Sequence, residues 1–433
     1  MNNNVTFSIG NLVLIDKVDA DYQFFEDMLV HLPPALKKIT PWLKLLIYNR
    51  LGECLALDRI PEFYPQELFQ QCGFKKKPSS RTINRYVETI GKNHSIILAA
   101  YQNFIQKNNL IANKQFTDFS SSFTEGKGEA YGEYGYSRDG QPGKKQFTFG
   151  IMTGINSIPT AITIQKGNVP DKKHFKFILQ TASTILEEQT LLIFDCGANT
   201  QENKTAIREK KLHYLTLKPK KRGPYKEFIH LFQQSEKTTF ELNNITYEAV
   251  KITKNEETSY IFFSTPLQQS QLALKERKFK KQVEKNKTLL EKTKNNKPLA
   301  HYLSEEGTII ATGSLQKNLT PNIPNPYLTG IEGYFVLESS INTEPQYLLA
   351  LYKDKDKAEK LIQNIKEGTE LRPMRHWSKW AILGYLTIIF LTHFLTNLTL
   401  LRPANPTVKL IKNVKRLKKY LTNLTLTVIK PPN

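Results

Sequence analysis

The segment TLLIFDCG, residues 190–197, sets the fold class of this 433-residue chain. It is a short, almost uninterrupted apolar run that ends at Asp195, and such runs are typical of strands buried at the centre of a sheet. The sequences DKKHFKFILQTASTILEE before it and TQENKTAIREKK after it have the apolar spacing of helices, and LHYLTLK is the next strand. This order predicts β-α-β units in a sheet covered by helices.

Two further strand patterns precede that segment. KQFTDFSSSF, residues 114–123, predicts a strand that contains Asp118 and ends near an acid. YSRDGQPGKKQFTFGIMTGINSIPTAITIQKGN, residues 136–168, predicts a polar loop and then two strands joined at GIN. Together with the β-α-β units, this meander predicts an α/β fold with a mixed sheet flanked by helices.

The N-terminal 110 residues have a helical pattern and form a predicted N-terminal helical domain. PSSRTINRYVETIG, residues 78–91, predicts a helix capped by Ser79 or Ser80, with an inner apolar stripe. Its exposed face offers Arg81, Asn84 and Arg85, the residue types with which a DNA-recognition helix contacts base edges. A plain amphipathic helix with solvated charges explains the same pattern.

The length predicts two or three domains. The catalytic core is expected in two parts, residues 111–220 and 331–402, because the pattern weakens between them. Residues 221–330 are predicted to be an inserted module of strands and one long lysine-rich helix near 272–297. GYFVLES, residues 333–339, predicts a strand that returns to the main sheet, and residues 403–433 form a basic tail.

The charge composition points to an anionic partner. There are 61 Lys and Arg residues against 40 Asp and Glu, a formal net charge of +21, which favours nucleic acid through neutralised phosphates. An anionic membrane surface is the rival partner. The uncharged run at residues 380–401 has the length of a membrane span, but we interpret it as a buried core helix.

Cysteine usage and the N-terminal sequence fit a cytoplasmic protein. The chain has 3 cysteines and no C-x2-C pair, so neither a disulfide framework nor a zinc site is indicated. The first ten residues, MNNNVTFSIG, lack the basic and apolar regions of a secretory signal.

YKDKDKAEKLIQNIK, residues 352–366, has two interpretations. As a surface helix, it would pair Glu359 with Lys355 one turn earlier. As an active-site helix, it would place Tyr352, Lys355, Glu359 and Lys366 near one face.

Asp118, Asp195 and Glu359 are the candidate catalytic carboxylates. A carboxylate at the end of a buried strand is costly unless it is paired or binds a cation. If the strands of Asp118 and Asp195 are neighbours, a hard divalent cation such as Mg²⁺ would relieve the repulsion between them. Each acid also has an ordinary explanation. Asp118 would bind local backbone amides, Asp195 would cap the next helix, and Glu359 would pair with Lys355.

The order of these acids resembles the DDE transposases of prokaryotic insertion sequences. The resemblance rests on an Asp, an Asp-x-Gly after an apolar strand, and Y-x2-K-x3-E-x6-K, and it covers roughly residues 110–400. TDFSSSF, the YGYSRDGQPG and KGNVPD blocks, FDCGANTQEN and GTELRPMRHW are similar to segments of the same family.

The resemblance implies an RNase H-like core interrupted by an insertion domain. It implies that Asp118, Asp195 and Glu359 bind two Mg²⁺ or Mn²⁺ ions and that Tyr352, Lys355 and Lys366 contact DNA. Terminal inverted repeats and target DNA would be the partners, with a homodimer pairing the two ends and no membrane involved. The chain departs from the family at Lys355 and Cys196, where arginine is usual. Lysine keeps the charge but lacks the bidentate phosphate contact of arginine, and cysteine lacks the charge.

Two other functions fit the sequence. A catalytically inactive DNA-binding protein derived from a transposase would use the same net charge. A membrane-anchored basic protein would use residues 380–401.

Overall fold

A computed structural model describes residues 4–125, 130–294, 301–303, 309–311, 325, 327–369, 371, 374–376, 378–400 and 419–429. Contacts divide the chain into two compact units. The first contains Met1–Tyr214 and Lys353–Asn433, and the second contains Leu215–Tyr352.

The first unit begins with a short strand and a series of helices. They are β1 (Val5–Ser8), α1 (Gly10–Tyr22), α2 (Phe24–Val30), a 3-10 helix (Pro34–Ile39), α3 (Thr40–Leu51), α4 (Ile60–Phe63), α5 (Gln66–Gln71), α6 (Ser80–Lys92) and α7 (His94–Lys107). The predicted helix at residues 78–91 is confirmed as α6. Ser79 caps it, with its hydroxyl accepting a hydrogen bond from the Thr82 amide at 3.3 Å.

The sheet of the first unit is mixed, as the sequence predicts. Its elements are β2 (Lys114–Phe123), β3 (Gln146–Gly154), β4 (Pro159–Lys166), α8 (Asp171–Ala182), β5 (Leu191–Phe194), α9 (Gln201–Glu209) and β6 (His213–Leu217), whose last three residues belong to the second unit. β3 pairs antiparallel with both β2 and β4, whereas β5 pairs parallel with β2.

Helices cover both faces of this sheet. On one face, Phe175 of α8 and Ile207 of α9 are buried with Phe194 of β5. On the other, Phe147 and Phe149 of β3 belong to the large apolar cluster that also contains residues of the N-terminal helices. Alternation of these side chains across the strands fixes which face each helix covers.

The second unit is built on an antiparallel sheet. Its elements are α10 (Arg222–Gln234), β7 (Thr238–Leu242), β8 (Ile245–Lys254), β9 (Glu257–Phe263), α11 (Thr265–Lys294), β10 (His301–Leu303), β11 (Ile309–Ala311), β12 (Tyr334–Ser339) and α12 (Pro345–Lys353). β12 pairs antiparallel with β9 and with Leu215–Leu217 of β6. The predicted strand GYFVLES is therefore present, and this unit extends beyond residues 221–330 at both ends.

The prediction of one continuous helix over residues 352–366 is wrong. α12 ends at Lys353, α13 covers Asp356–Gln363, and a π-helical turn follows over Asn364–Gly368. Asp356 lies in the first turn of α13, where a negative charge complements the helix dipole and favours a new helix start. The argument that four motif residues share one helical face therefore fails.

The apolar segment after these turns forms α14 (Lys379–Leu400). In length and composition α14 is sufficient to cross a membrane, but 94% of its most apolar window is buried within the protein. It packs against α3, α6 and α7. Most of the predicted basic tail lies outside the described residues, and β13 (Thr425–Val428) pairs antiparallel with β1.

Candidate active site

The register of two parallel strands brings the first two predicted acids together. Thr117 of β2 pairs with Phe194 of β5, so the residues that follow them, Asp118 and Asp195, are adjacent across the strands. Asp195 follows the last residue of β5, as predicted. Asp118 lies in the middle of β2, opposite Ile151 of β3, so the expectation that it stands at a strand end is corrected. The parallel pairing puts the two carboxylates at the same position along the sheet.

Burial makes the ionised form of Asp118 costly. Burial, followed by the negative charges of Asp195 and Glu359, raises the pKa of Asp118 to about 6. Lys355 and a 2.9 Å hydrogen bond from the Phe119 amide act in the opposite direction. A carboxylate in this environment is stabilised by a nearby cation.

Lys355 is that cation in this structure. Its ammonium nitrogen lies 3.2 Å from Oδ2 of Asp195 and 2.8 Å from Oε1 of Glu359. Burial alone would lower the pKa of Lys355, but attraction by Asp118, Asp195 and Glu359 outweighs burial and raises the pKa to about 12. Glu359 thus makes the predicted pair with Lys355, which directly precedes α13, and shares that lysine with Asp195.

A second pair of ionic contacts fixes the loop before β3. The Arg138 guanidinium lies 2.5 and 2.7 Å from the two Asp171 carboxylate oxygens, and the Lys366 ammonium lies 2.6 Å from Oδ1 of Asp139. Arg138 also donates its backbone N–H to the Ser121 hydroxyl at 3.2 Å. These contacts connect the loop to β2, to the start of α8 and to the turn after α13.

Sequence reasoning gave no role to Arg138, Asp139 or Asp171, although the blocks YGYSRDGQPG and KGNVPD contain them. Asp171 also lies close to the loop of the second catalytic candidate, since a Cβ placed on Gly197 would be 2.8 Å from its Oδ2. The signal available in the sequence was the proximity of charged residues to glycine and proline in both blocks.

The predicted DNA-binding residues have different environments. Arg81, Asn84 and Arg85 are exposed on α6, opposite the buried Ile83, Val87 and Ile90. Lys366 is buried and contacts Asp139, and Tyr352 is a partly buried residue of α12 in the second unit. DNA contact by each of these residues, and by Lys355, remains a prediction.

The donor chemistry of the site fits the predicted divalent cation. Asp118, Asp195 and Glu359 supply carboxylate oxygens, which Mg²⁺ and Mn²⁺ accept as ligands. Among the residues that the structure describes, no group of three or more His, Cys, Asp or Glu side chains is arranged to enclose a metal ion. The positive charge between these carboxylates is the Lys355 ammonium.

Comparison with known proteins gives little further information. No protein-family model matches the chain, and no curated protein matches it. Among solved structures, the cryo-EM structure of a piggyBac transposase synaptic complex with hairpin DNA is similar with a TM-score of 0.43 and 10% sequence identity. The similarity covers 95% of this chain and 79% of that chain. Function is therefore inferred from the site residues and the sequence motifs.

Proposed function

We propose that the chain is a DNA transposase of an insertion sequence that cuts phosphodiester bonds at the element ends and joins them to target DNA. One observation carries this proposal. Asp118, Asp195 and Glu359, which are far apart in the sequence, all act electrostatically on Lys355, and two of them contact its ammonium. The resemblance of the motif blocks to DDE transposases supports the same reaction.

In the proposed mechanism Asp118, Asp195 and Glu359 would hold Mg²⁺ or Mn²⁺, which would supply activation of a water and stabilisation of the leaving oxygen of the phosphodiester. The chain itself provides rigid positions for the ligands. Asp118 is held in a strand paired on both sides, and Asp195 follows a fully buried strand. Glu359 is presented by the first turn of α13.

DNA binding is assigned to the exposed face of α6 and to the overall positive charge. Arg81, Asn84 and Arg85 would read the terminal inverted repeats, because Arg and Asn offer bidentate contacts to guanine and adenine. Target DNA would be bound mainly through its phosphates. A homodimer would hold the two ends in one complex.

The test is cleavage of labelled linear DNA carrying the sequences that flank the coding region, with Mg²⁺ or Mn²⁺. Wild type is compared with Asp195→Asn and Glu359→Gln, and with Asp356→Asn as a matched control on the same helix. Asp356 is exposed and pairs with Lys360. Metal-dependent cutting that is lost in the first two variants and retained in the third supports the proposal. Cutting that survives Asp195→Asn would contradict it.

A catalytically inactive DNA-binding protein is the second candidate. It is favoured by the Lys355 ammonium, which already neutralises the carboxylates on which catalysis would depend. This candidate predicts that the same DNA is bound with equal affinity by wild type and Glu359→Gln, and that neither cuts it.

A further inference from the structure

We propose that Lys355 is an internal counter-cation that competes with the divalent ion for Asp118, Asp195 and Glu359. Binding of the ion then requires the ammonium to move away from these carboxylates. The inference rests on the proposed function in one respect, namely that a divalent ion binds at this site.

The distribution of exposure at the site supports this role. The Lys355 side chain is 4% exposed, whereas its partners Asp195 and Glu359 are 49% and 58% exposed. The cation is thus enclosed and its carboxylate partners reach solvent. A lysine that only solubilised the helix would have its ammonium in water, as Lys360 does at 69% exposure in its pair with Asp356.

The ammonium and a metal ion would use the same oxygen atoms. The Lys355 nitrogen is within 3.2 Å of both Asp195 Oδ2 and Glu359 Oε1. Mg²⁺ binds such oxygens at about 2.0–2.1 Å and demands near-ideal geometry. Two positive groups among the same carboxylates would also repel each other strongly in a partly buried site. Occupation by one therefore disfavours occupation by the other.

Lysine suits an exchangeable counter-cation better than arginine does. Its ammonium is a compact point charge on a flexible four-carbon stem, so it can neutralise the carboxylates and still withdraw. A guanidinium forms planar bidentate contacts with carboxylates and is more strongly held. The lysine at position 355, where the resembled family has arginine, is thus expected to lower the barrier to metal entry.

The test measures Mn²⁺ binding to the full chain without DNA, by electron paramagnetic resonance of the free ion. Wild type is compared with Lys355→Met, Asp195→Asn and the matched control Lys360→Met. We expect Lys355→Met to bind Mn²⁺ at least about tenfold more tightly than wild type, because the ion no longer has to displace an ammonium from the carboxylates. Lys360→Met should bind as wild type does.

The outcomes separate the two proposals. Asp195-dependent Mn²⁺ binding that is no tighter in Lys355→Met would overturn the role of Lys355 and leave the proposed function intact. Binding that is unchanged in Asp195→Asn would place the ion elsewhere and contradict both proposals.

A charge-retaining variant covers the case in which Lys355→Met does not fold. Lys355→Arg preserves the positive charge and should hold the carboxylates more firmly, so we expect weaker Mn²⁺ binding than in wild type. Unchanged or tighter Mn²⁺ binding by Lys355→Arg would overturn the inference.

Thermal unfolding in EDTA gives a further readout, since Lys355→Met should lower the unfolding temperature more than Lys360→Met does.

Discussion

Lys366, the last residue of the motif, has the clearest structural role of any single residue near the site. Its side chain is 9% exposed and that of Asp139 is 0% exposed, with 2.6 Å between the ammonium nitrogen and Oδ1. Removing one partner of a buried ion pair leaves an uncompensated charge and typically costs about 3–5 kcal/mol. We therefore expect Lys366→Met to lower the urea midpoint of unfolding markedly, by destabilising the loop at Asp139.

The matched control is Lys360→Met, which removes a lysine from an exposed pair on the neighbouring helix α13. Exposed pairs contribute roughly 0–1 kcal/mol, so its midpoint should stay close to that of wild type. If both variants unfold at the same urea concentration, the pair of Lys366 and Asp139 does not stabilise the fold. Restoration of the midpoint by adding Asp139→Asn to Lys366→Met would show that the cost came from the unpaired carboxylate.

A second residue-scale prediction concerns His174, which is buried on α8. Burial, together with the nearby Arg138 charge, lowers the pKa of His174 to about 3. Thr163 Oγ1 lies 2.9 Å from Nε2 of the ring, which satisfies the neutral imidazole. The unfolded chain takes up this proton near pH 6.5, whereas the folded chain does not until about pH 3. Stability contributed by His174 is thus complete above pH 6.5 and is lost as the pH falls toward 3.

Unfolding midpoints measured between pH 4 and pH 7 test whether stability falls as the pH is lowered. Replacing His174 by Gln removes one titrating group, so we expect the pH dependence to flatten by up to about 1.4 kcal/mol per pH unit. His94 and His376 have pKa values lowered in the same direction and keep part of the slope in the variant. An identical slope in wild type and His174→Gln would show that His174 does not titrate as stated.

At the scale of elements, the sequence predicted correctly those helices and strands that depend on capping and on the spacing of neighbouring apolar residues. The cap at Ser79 and the stripe of Ile83, Val87 and Ile90 define α6, and the structure agrees. The apolar run 191–194 is a buried strand for the same reason. The prediction of one helix over residues 352–366 was wrong because the helical periodicity of the sequence continues through Asp354 and Lys355. In the structure one helix ends before these two residues and a second begins after them.

The features of the site that the sequence did not predict depend on contacts between segments far apart in the chain. Asp139 and Lys366 are 227 positions apart, and no local pattern connects them. Asp118 was grouped with Asp195 as a strand-end acid, yet its strand continues for five residues beyond it. The side chains that offset this cost, above all Lys355, come from a different part of the chain.

The contact between α6 and α14 depends on two glycines. A Cβ on Gly384 would lie 1.9 Å from the Val87 carbonyl oxygen, and one on Gly91 would lie 1.7 Å from the Trp380 carbonyl oxygen. Neither oxygen is at the end of a flexible side chain, so the helices would have to separate. We expect Gly384→Ala to destabilise the protein by at least about 1–3 kcal/mol, measured as a lower unfolding midpoint.

Gly223→Ala is the control for this prediction. Gly223 lies within α10, and a Cβ there would meet no atom within 4 Å. Because alanine is favoured over glycine in helices by up to about 1 kcal/mol, this variant should be neutral or slightly stabilised. Equal destabilisation by the two variants would mean that helix packing at Gly384 is not the cause.

The exposed face of α6 gives the element-scale prediction for DNA binding. Arg81→Ala and Arg85→Ala remove exposed side chains, so the free energy of unfolding should stay within about 0.5 kcal/mol of wild type. Affinity for the end sequences should fall by about 1–3 kcal/mol for each lost base contact. Affinity for unrelated duplex DNA should change much less. Equal losses on both DNAs, measured by fluorescence anisotropy, would assign these arginines to phosphates instead.

At the scale of the whole molecule, the excess of 61 basic over 40 acidic residues determines how binding depends on salt. Each phosphate neutralised by the protein releases condensed counterions, so the logarithm of the binding constant falls linearly with the logarithm of salt concentration. With about six to ten phosphate contacts, affinity for an unrelated duplex should fall by about 10³–10⁵ between 50 and 200 mM salt. Anisotropy titrations at several salt concentrations give the slope directly.

The slope also distinguishes a DNA-binding surface from charge spread evenly over the molecule. Clustered charge engages many phosphates at once and gives a steep slope, whereas scattered charge gives a shallow one at the same net charge. Thermal unfolding over the same salt range, without DNA, controls for effects of salt on the fold. A slope corresponding to only one or two phosphates would contradict a DNA-binding role for the +21 net charge and would remove its support for the transposase proposal.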